Sequence, residues 1–414
     1  MNFESSKTFA NKLDNNDVLG SLKEKFNSPI SNPIYLCGHS LGLQPKLARE
    51  FIQIELDAWA ELGVDGHMNG KNPWFDYHTL LTNHMSKLVG SKNTETVVMN
   101  SLTTNLHMLM ISFFRPTEDK YKIMIDIPAF PSDKYAVQSQ LKLHGLDPEK
   151  DLIEISTLKN NRCISNNDML HQIQSNIDNV AMIMMSGVNY YTGQLYDLES
   201  ISNLAHTHDC VIGLDLAHAA GNVELELNKW KIDFAVWCGY KYLNGGPGAP
   251  SGAFVHEKHH DSNLKRLEGW WGHDKSTRFN PPEIFNPIKG AEAWQLSNPP
   301  ILSMAALRSS LELFDQVGIK KLREKSEKIT GYLEHLVKSI DNNNISIITP
   351  KESTQRGAQL SFQIKSDTSD LELFLKSKNI VCDFRKPNVI RAAPCAFYNS
   401  YSDVYRFAET LNEL

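Results

Sequence analysis

The feature that most constrains this chain is an alternation running from about residue 95 to 256. Short apolar runs (Thr96 to Met99, Lys122 to Ile127, Val180 to Met185, Cys210 to Leu216, Phe234 to Cys238 and Ala253 to His256) are separated by amphipathic stretches such as Asn105 to Phe114, Asp133 to His144 and Leu198 to His208. A short run that is apolar throughout reads as a strand covered on both faces, and a helix between two such runs returns the chain so that the next strand lies parallel. The pattern therefore predicts an α/β fold, a mostly parallel central sheet flanked by helices. After the Pro-rich segment 280–300, helical spacing from Ile301 through Phe314 predicts a linking helix, and a Lys- and Glu-rich helix follows to about Ile340. Strand patterns at Ile345 to Ile348 and Gln359 to Ile364, a short helix, more strand pattern and a closing helix predict a smaller α+β C-terminal domain. The expected division is an N-terminal segment, 1–60, packing with the small domain, a large domain over 61–310 and the small domain over 311–414.

Composition narrows the function within that fold. No run of about 18 apolar residues is present, and no charged start leads into an apolar stretch, so a soluble cytoplasmic protein with no membrane partner is expected. The formal net charge is -6 and no long Lys/Arg cluster occurs. The footprint of a nucleic-acid binder is missing, and a small molecule is the expected partner. Cys37, Cys163, Cys210, Cys238, Cys382 and Cys395 form no CxxC pair, which suits reduced thiols rather than a disulfide or zinc framework.

Ligands of open α/β sheets bind beyond the carboxyl ends of the strands, so the polar residues there are the candidates. Asp215 closes one strand, with His218 just beyond; an acid in that position can hold a protonated pyridine nitrogen. The next strand runs into Tyr240, Lys241 and Tyr242 before the Gly-rich stretch Asn244-Gly245-Gly246-Pro247-Gly248. A lysine beside aromatic rings in a partly dry pocket can lose its proton and form a Schiff base. Those are the two groups that pyridoxal phosphate most needs. Asn100-Ser101-Leu102-Thr103-Thr104 offers caps and hydroxyls at a helix start, where phosphate binds, and Ala129-Phe130-Pro131-Ser132-Asp133 supplies a ring to stack on a flat cofactor and an acid. Each element also has a plainer reading: a strand-end Asp as a helix cap, the Tyr-Lys-Tyr run as a solvated edge, Phe130-Pro131 as a turn. Their order along one sheet edge favours the site.

Two patterns point elsewhere. His256-Glu257-Lys258-His259-His260 matches the HExxH zinc-peptidase motif in form, but it follows an apolar strand and reads as a charged turn, so no metal is expected. Its histidines, with His206 and His208, are expected at the surface. Gly66 to Lys71 is one residue short of a phosphate loop, and Asn72 stands where Ser or Thr would hold magnesium.

Several stretches together resemble the kynureninase family, in order and at similar spacing over nearly the whole chain. They are Cys37-Gly38-His39-Ser40-Leu41-Gly42, Phe130-Pro131-Ser132-Asp133, Tyr190-Tyr191-Thr192-Gly193-Gln194, Asp215-Leu216-Ala217-His218-Ala219, Trp237 to Asn244 and Ile390-Arg391-Ala392-Ala393-Pro394. Gly269-Trp270-Trp271-Gly272-His273 and Ser297-Asn298-Pro299-Pro300 separate the chain from the wider aspartate-aminotransferase-like superfamily. The resemblance implies a fold type I enzyme with pyridoxal phosphate, a homodimer with its site at the subunit interface. The implied reaction is hydrolysis of L-kynurenine or 3-hydroxy-L-kynurenine to the corresponding anthranilate and L-alanine, in tryptophan catabolism.

Roles carry over residue by residue as implications of that resemblance. Lys241 holds the cofactor covalently, Asp215 pairs with the pyridine nitrogen and His218 lies close to the ring. Leu102, Thr103 and Tyr240 contact the phosphate, Phe130 stacks on the ring, and Pro131, Ser132, Asp133 and Ser186 complete the surroundings. Trp270 and Asn298 arrive from the partner subunit, Arg391 clamps the substrate carboxylate, and Ser40 and His67 lie around the substrate. Tyr191 is the candidate for later proton transfers, with a phosphate or stacking contact as its alternative. His67 and the Ser297-Asn298 pair either hydrogen-bond a ring hydroxyl, favouring the 3-hydroxy substrate, or only shape the pocket. Two positions depart from the family pattern: His39, where Asn is frequent, reads as a changed loop contact, and Trp271, where Phe is common, as a changed ring size. The rival readings are a cysteine desulfurase or related lyase using Cys382 or Cys395, a metallopeptidase on His256 to His260, and a scaffold without activity.

Overall fold

The computed structural model describes residues 3–159, 162–280, 284–340, 344–365 and 370–414. The apolar runs form a seven-stranded sheet of β1 (Thr96–Met99), β2 (Lys122–Ile127), β3 (Leu152–Ser156), β4 (Val180–Ser186), β5 (Val211–Asp215), β6 (Phe234–Trp237) and β7 (Ser251–Val255), in spatial order β1-β7-β6-β5-β4-β2-β3. Strands β3, β2, β4, β5 and β6 run parallel, and β7 is antiparallel to both β6 and β1. The reversal has a local cause: the connection from β6 to β7 contains no helix to carry the chain back across the sheet.

Burial explains why these strands read as continuous apolar runs. Alternate residues of one strand enter opposite layers: Ala235 and Trp237 join the core with Met85, Leu214 and Leu311, while Phe234 and Val236 join Leu109, Phe113 and Trp294 on the other face. Strand β3 escaped the sequence reading because it lies at the edge and is only partly covered; its Glu154 is exposed and pairs with Lys134 Nζ at 2.5 Å.

Helices Ile301–Val317 and Ile319–Lys338 lead to the second sheet, β8 (Ile345–Ile347), β9 (Leu360–Ile364), β10 (Asp383–Arg385) and β11 (Val389–Ala392), antiparallel in the order β8-β9-β11-β10. Its core takes Ala10 and Leu13 from helix Lys7–Asn15, together with Ile34 and Leu36. Leu19 and Phe26 belong to the large core, and helix Ala48–Leu62 packs on Ile301–Val317. Among the described residues, no helix is long and apolar enough to cross a membrane.

All six cysteines are free. Contrary to expectation, several histidines are not loose surface groups. Buried Asp233, just before β6, receives His206 Nε2 at 3.1 Å, His259 Nε2 at 2.7 Å and Lys258 Nζ at 2.7 Å. Burial alone would raise this carboxyl; His206, His259 and Lys258 hold it well below the carboxylate range instead. His256 Nε2 faces Asn228 O at 3.1 Å and His260 Nε2 faces Val255 O at 3.0 Å, so the HExxH histidines are occupied by backbone. Among the described residues, no group of three His, Cys, Asp or Glu side chains is placed so that it could hold a metal ion.

Candidate active site

The carboxyl ends of β2, β4, β5 and β6 converge on one cavity. Lys241 lies in its wall with Nζ 5.6 Å from the centroid of the Phe130 ring. Phe130 caps helix Pro131–Leu143, whose opening proline has the backbone angle a first turn requires. Pro131 itself stays out of the cavity, while Ser132 and Asp133 line it.

Two helix starts meet at the cavity's polar end. Helix Leu102–Phe113 begins there because Asn100 adopts a left-handed conformation, φ 48°, with its amide donating to Asn105 Oδ1 at 3.0 Å. Leu102 and Thr103 line the wall, and Thr103 Oγ1 stands 2.9 Å from Ser132 Oγ on the other helix. Free amides and hydroxyls at converging helix N-termini suit a phosphate.

At the end of β5, Asp215 Oδ1 accepts from Ala217 N at 2.6 Å, and Asp133 stands beside this carboxylate in the cavity wall. Burial, then the Asp215 charge, push the Asp133 carboxyl well above its ordinary range, against the opposing pull of Lys241. Asp133 Oδ1 is buried with no protein partner. An unpartnered carboxyl oxygen beside Asp215, an amine on Lys241 and paired hydroxyls at two helix starts are a donor set that fits pyridoxal phosphate. His218, Tyr240 and Ser186 complete the expected residues in the wall.

Residues missed by the sequence reading organise this wall. Asp126 lies inside β2, fully buried, and accepts from Ser186 N at 2.8 Å, Ser186 Oγ at 2.6 Å, Asn189 Nδ2 at 3.2 Å and Tyr196 OH at 3.2 Å. Asn189 Oδ1 in turn accepts from the amides of Tyr191 and Thr192, each at 3.0 Å. That turn brings Tyr190, rather than Tyr191, into the cavity lining, with its ring edge-on to Phe130 at 5.4 Å and 82°. The only sequence signal was a lone Asp in an apolar strand, which must find partners wherever it is buried.

Arg391 is not in the lining but lies next to it. Its Nη1 donates to Tyr190 O at 2.6 Å, its Nε to Asp383 Oδ1 at 2.8 Å, and the guanidinium stands 5.7 Å from the Tyr190 ring centroid. Tyr191, Ser40, His67, Trp270 and Asn298 are also outside the lining. His67 sits on the short helix Gly66–Asn69, edge-on to Trp74 at 5.4 Å; Ser40, Trp270 and Asn298 are exposed. His39, the position read as a changed loop contact, is buried, 6.1 Å between ring centroids from His218. Burial pushes the thiols of Cys382 and Cys395 up, and neither lines the cavity, which leaves a desulfurase without its nucleophile here.

The chain is 50% identical to the kynureninase of Myxococcus xanthus over 99% of its own length and 97% of that protein. The chain belongs to the kynureninase family. A family model described as the kynureninase C-terminal domain matches residues 322–411. The kynureninase of Nematostella vectensis is 41% identical over 98% of this chain and 93% of its own, so kynureninase relatives from a bacterium and an animal share nearly the full length. Among solved structures, a mutant of C-DES with glycine covalently linked to its PLP cofactor superposes with a TM-score of 0.80 at 14% identity, covering 93% of this chain and 97% of that one. A cysteine desulfurase from Thermococcus onnurineus gives 0.76 at 16%, covering 95% and 97%. At that identity these two share this chain's fold, the fold type I architecture of pyridoxal phosphate enzymes, and nothing finer.

Proposed function

We propose that this member of the kynureninase family hydrolyses the bond between the β and γ carbons of L-kynurenine or 3-hydroxy-L-kynurenine, releasing the corresponding anthranilate and L-alanine, with pyridoxal phosphate as cofactor. What carries the reading is the gathering of Lys241, Asp215 and the Thr103–Ser132 hydroxyl pair in one cavity of a chain 50% identical to a kynureninase. When bound, the cofactor supplies an electron sink conjugated to the substrate amine. Lys241 Nζ holds it and then moves the substrate α-proton. Asp215 keeps a proton on the ring nitrogen, while Phe130 and Tyr240 enclose the ring and the phosphate end. Leu102, Thr103 and Ser132 hold the phosphate, and Ser186, Asp133 and His218 fix the remaining edges. Arg391 clamps the α-carboxylate, and the Tyr191 hydroxyl carries a later proton, with Ser40 and His67 around the substrate.

We infer a cytoplasmic homodimer in which Trp270 and Asn298 serve the cavity of the second copy. Two facts support this: both side chains are exposed outside their own cavity, and Phe130 and Tyr240 leave aromatic surface uncovered. The division into 1–60, 61–310 and 311–414 is part of the same reading. The test is to purify the protein with pyridoxal phosphate, record near-visible absorbance and follow anthranilate fluorescence on adding L-kynurenine or its 3-hydroxy form. Lys241→Ala is expected to lose both colour and turnover. A yellow protein that leaves both substrates intact overturns the reaction but keeps the cofactor; a protein that never takes up colour overturns the site.

A further inference from the structure

Three imidazole nitrogens meet behind the cavity wall without a protein partner. Both ring nitrogens of His39 and Nδ1 of His218 are buried and bonded to no protein atom, although the two rings stand 6.1 Å apart at 54°. Buried nitrogens left unpaired carry their whole desolvation cost, so such groups are satisfied by protein or by ordered water almost everywhere. No hydrogen bond joins the two rings directly, and ordered water is what satisfies buried nitrogens of this kind where the protein offers no partner.

The turn that carries His39 is held firmly against the lysine's own loop. Ser40 N and Leu41 N both bond Cys37 O, at 2.9 and 3.1 Å, and Gly42 N bonds Tyr240 O at 2.9 Å. Gly42 has no room for a side chain: a Cβ there would lie 2.5 Å from Lys241 O and 2.2 Å from Asn244 Oδ1. Burial, and then the charges of Arg391, Lys241 and Arg385, keep His39 well below the usual histidine range. Burial, Lys241 and Arg391 do the same to His218. Each ring is thus neutral, with one donor and one acceptor to offer.

We propose that His39 is a positioning residue for His218: the two rings share one buried water, and that hydrogen-bonded unit fixes His218 in the wall against the bound cofactor and substrate. The inference rests on the reading of this cavity as the cofactor site. A position set through a partner has a signature that simple packing lacks, namely that its effect disappears when the partner is removed.

The test is a double-mutant cycle on the holoenzyme with His39→Leu, His218→Gln and both together, reading kcat and KM for L-kynurenine and the visible circular dichroism of the bound cofactor. His39→Leu is expected to lower kcat about tenfold, to leave KM within about threefold and to change the dichroism band; in the His218→Gln background it adds less than about twofold. His39→Gln, which keeps a donor and an acceptor, restores most of the loss. Additive effects, a wild-type dichroism band in His39→Leu, or a His39→Gln no better than His39→Leu would each overturn the role. If His39→Leu does not fold, His39→Phe keeps the ring volume without the nitrogens and runs the same cycle. A wild-type protein that takes up no pyridoxal phosphate overturns the site reading itself; bound cofactor with an additive cycle overturns His39 alone.

Discussion

Replacing Arg391 by lysine puts the proposed carboxylate clamp to a quantitative test. The guanidinium is buried and already spends two of its donors on the protein: Nε on Asp383 Oδ1 at 2.8 Å and Nη1 on Tyr190 O at 2.6 Å. Those bonds lock the planar fork and leave its remaining N–H groups in one orientation for a carboxylate. A lysine offers three donors from one atom and cannot meet Asp383, Tyr190 and a substrate at those spacings. The loss is one charge-assisted hydrogen bond to the substrate, about 1.5–3 kcal/mol. That corresponds to a roughly 10- to 150-fold fall in kcat/KM. A carboxylate is gripped equally before and during reaction, so the change belongs in KM, with kcat within about threefold. Steady-state anthranilate release, on protein whose cofactor absorbance matches wild type, measures both terms. A KM within threefold of wild type, or a loss confined to kcat, refutes the assignment. Arg385 is the internal control: it pairs with the same Asp383 at 2.9 Å and lies 6.0 Å from the same ring, so an equal KM effect from Arg385→Lys moves the clamp to that residue.

Other consequences can be checked directly. Because the Asp133 carboxyl titrates higher folded than unfolded, its contribution is fully present below the unfolded value of about 4 and is lost as pH rises through the folded one. The melting temperature of cofactor-free wild type should therefore fall relative to Asp133→Asn as pH rises above about 4, and a difference that stays flat with pH removes the argument. Gly193 has φ 75°, and a Cβ there would sit 2.6 Å from Gln359 O, so Gly193→Ala should cost about 1–3 kcal/mol in urea unfolding and raise KM through the Tyr190 turn. Asp233→Asn strands two histidines and a lysine around a buried site; with Lys258 partly solvated, about 2–4 kcal/mol of stability should go, while kcat at room temperature holds.

How far the sequence could be read depended on how the chain reaches each place. Strands covered on both faces announced themselves as apolar runs, and the groups at their carboxyl ends, Asp215 and Lys241 above all, could be collected before any coordinates were known. Strand β3 could not, because an edge strand with exposed Glu154 loses the continuous pattern. The sequence reading takes Tyr191 and passes over Tyr190, although nothing in the sequence separates the two. Which ring turns inward is decided by Asn189 accepting the amides of Tyr191 and Thr192, a fact of backbone geometry that residue type does not encode. The burial of His39 was not legible either, because nothing in residue type signals that Gly42 lies flat against the Lys241 loop.

The recoverable signal lies in the exceptions to a pattern rather than in the pattern. Asp126 and Asp215 are the acids inside or closing fully covered strands, and each turns out to organise a stretch of cavity wall, Ser186 to Asn189 in one case and Ala217 with Asp133 in the other. A carboxylate in such a place destabilises the strand unless several donors are built around it, so its presence in an apolar run implies a polar network at that level of the sheet. Applied to Lys122–Ile127 before the fold was known, that reasoning would have pointed to the far side of the cavity, where Tyr190 and Arg391 lie, from a single residue.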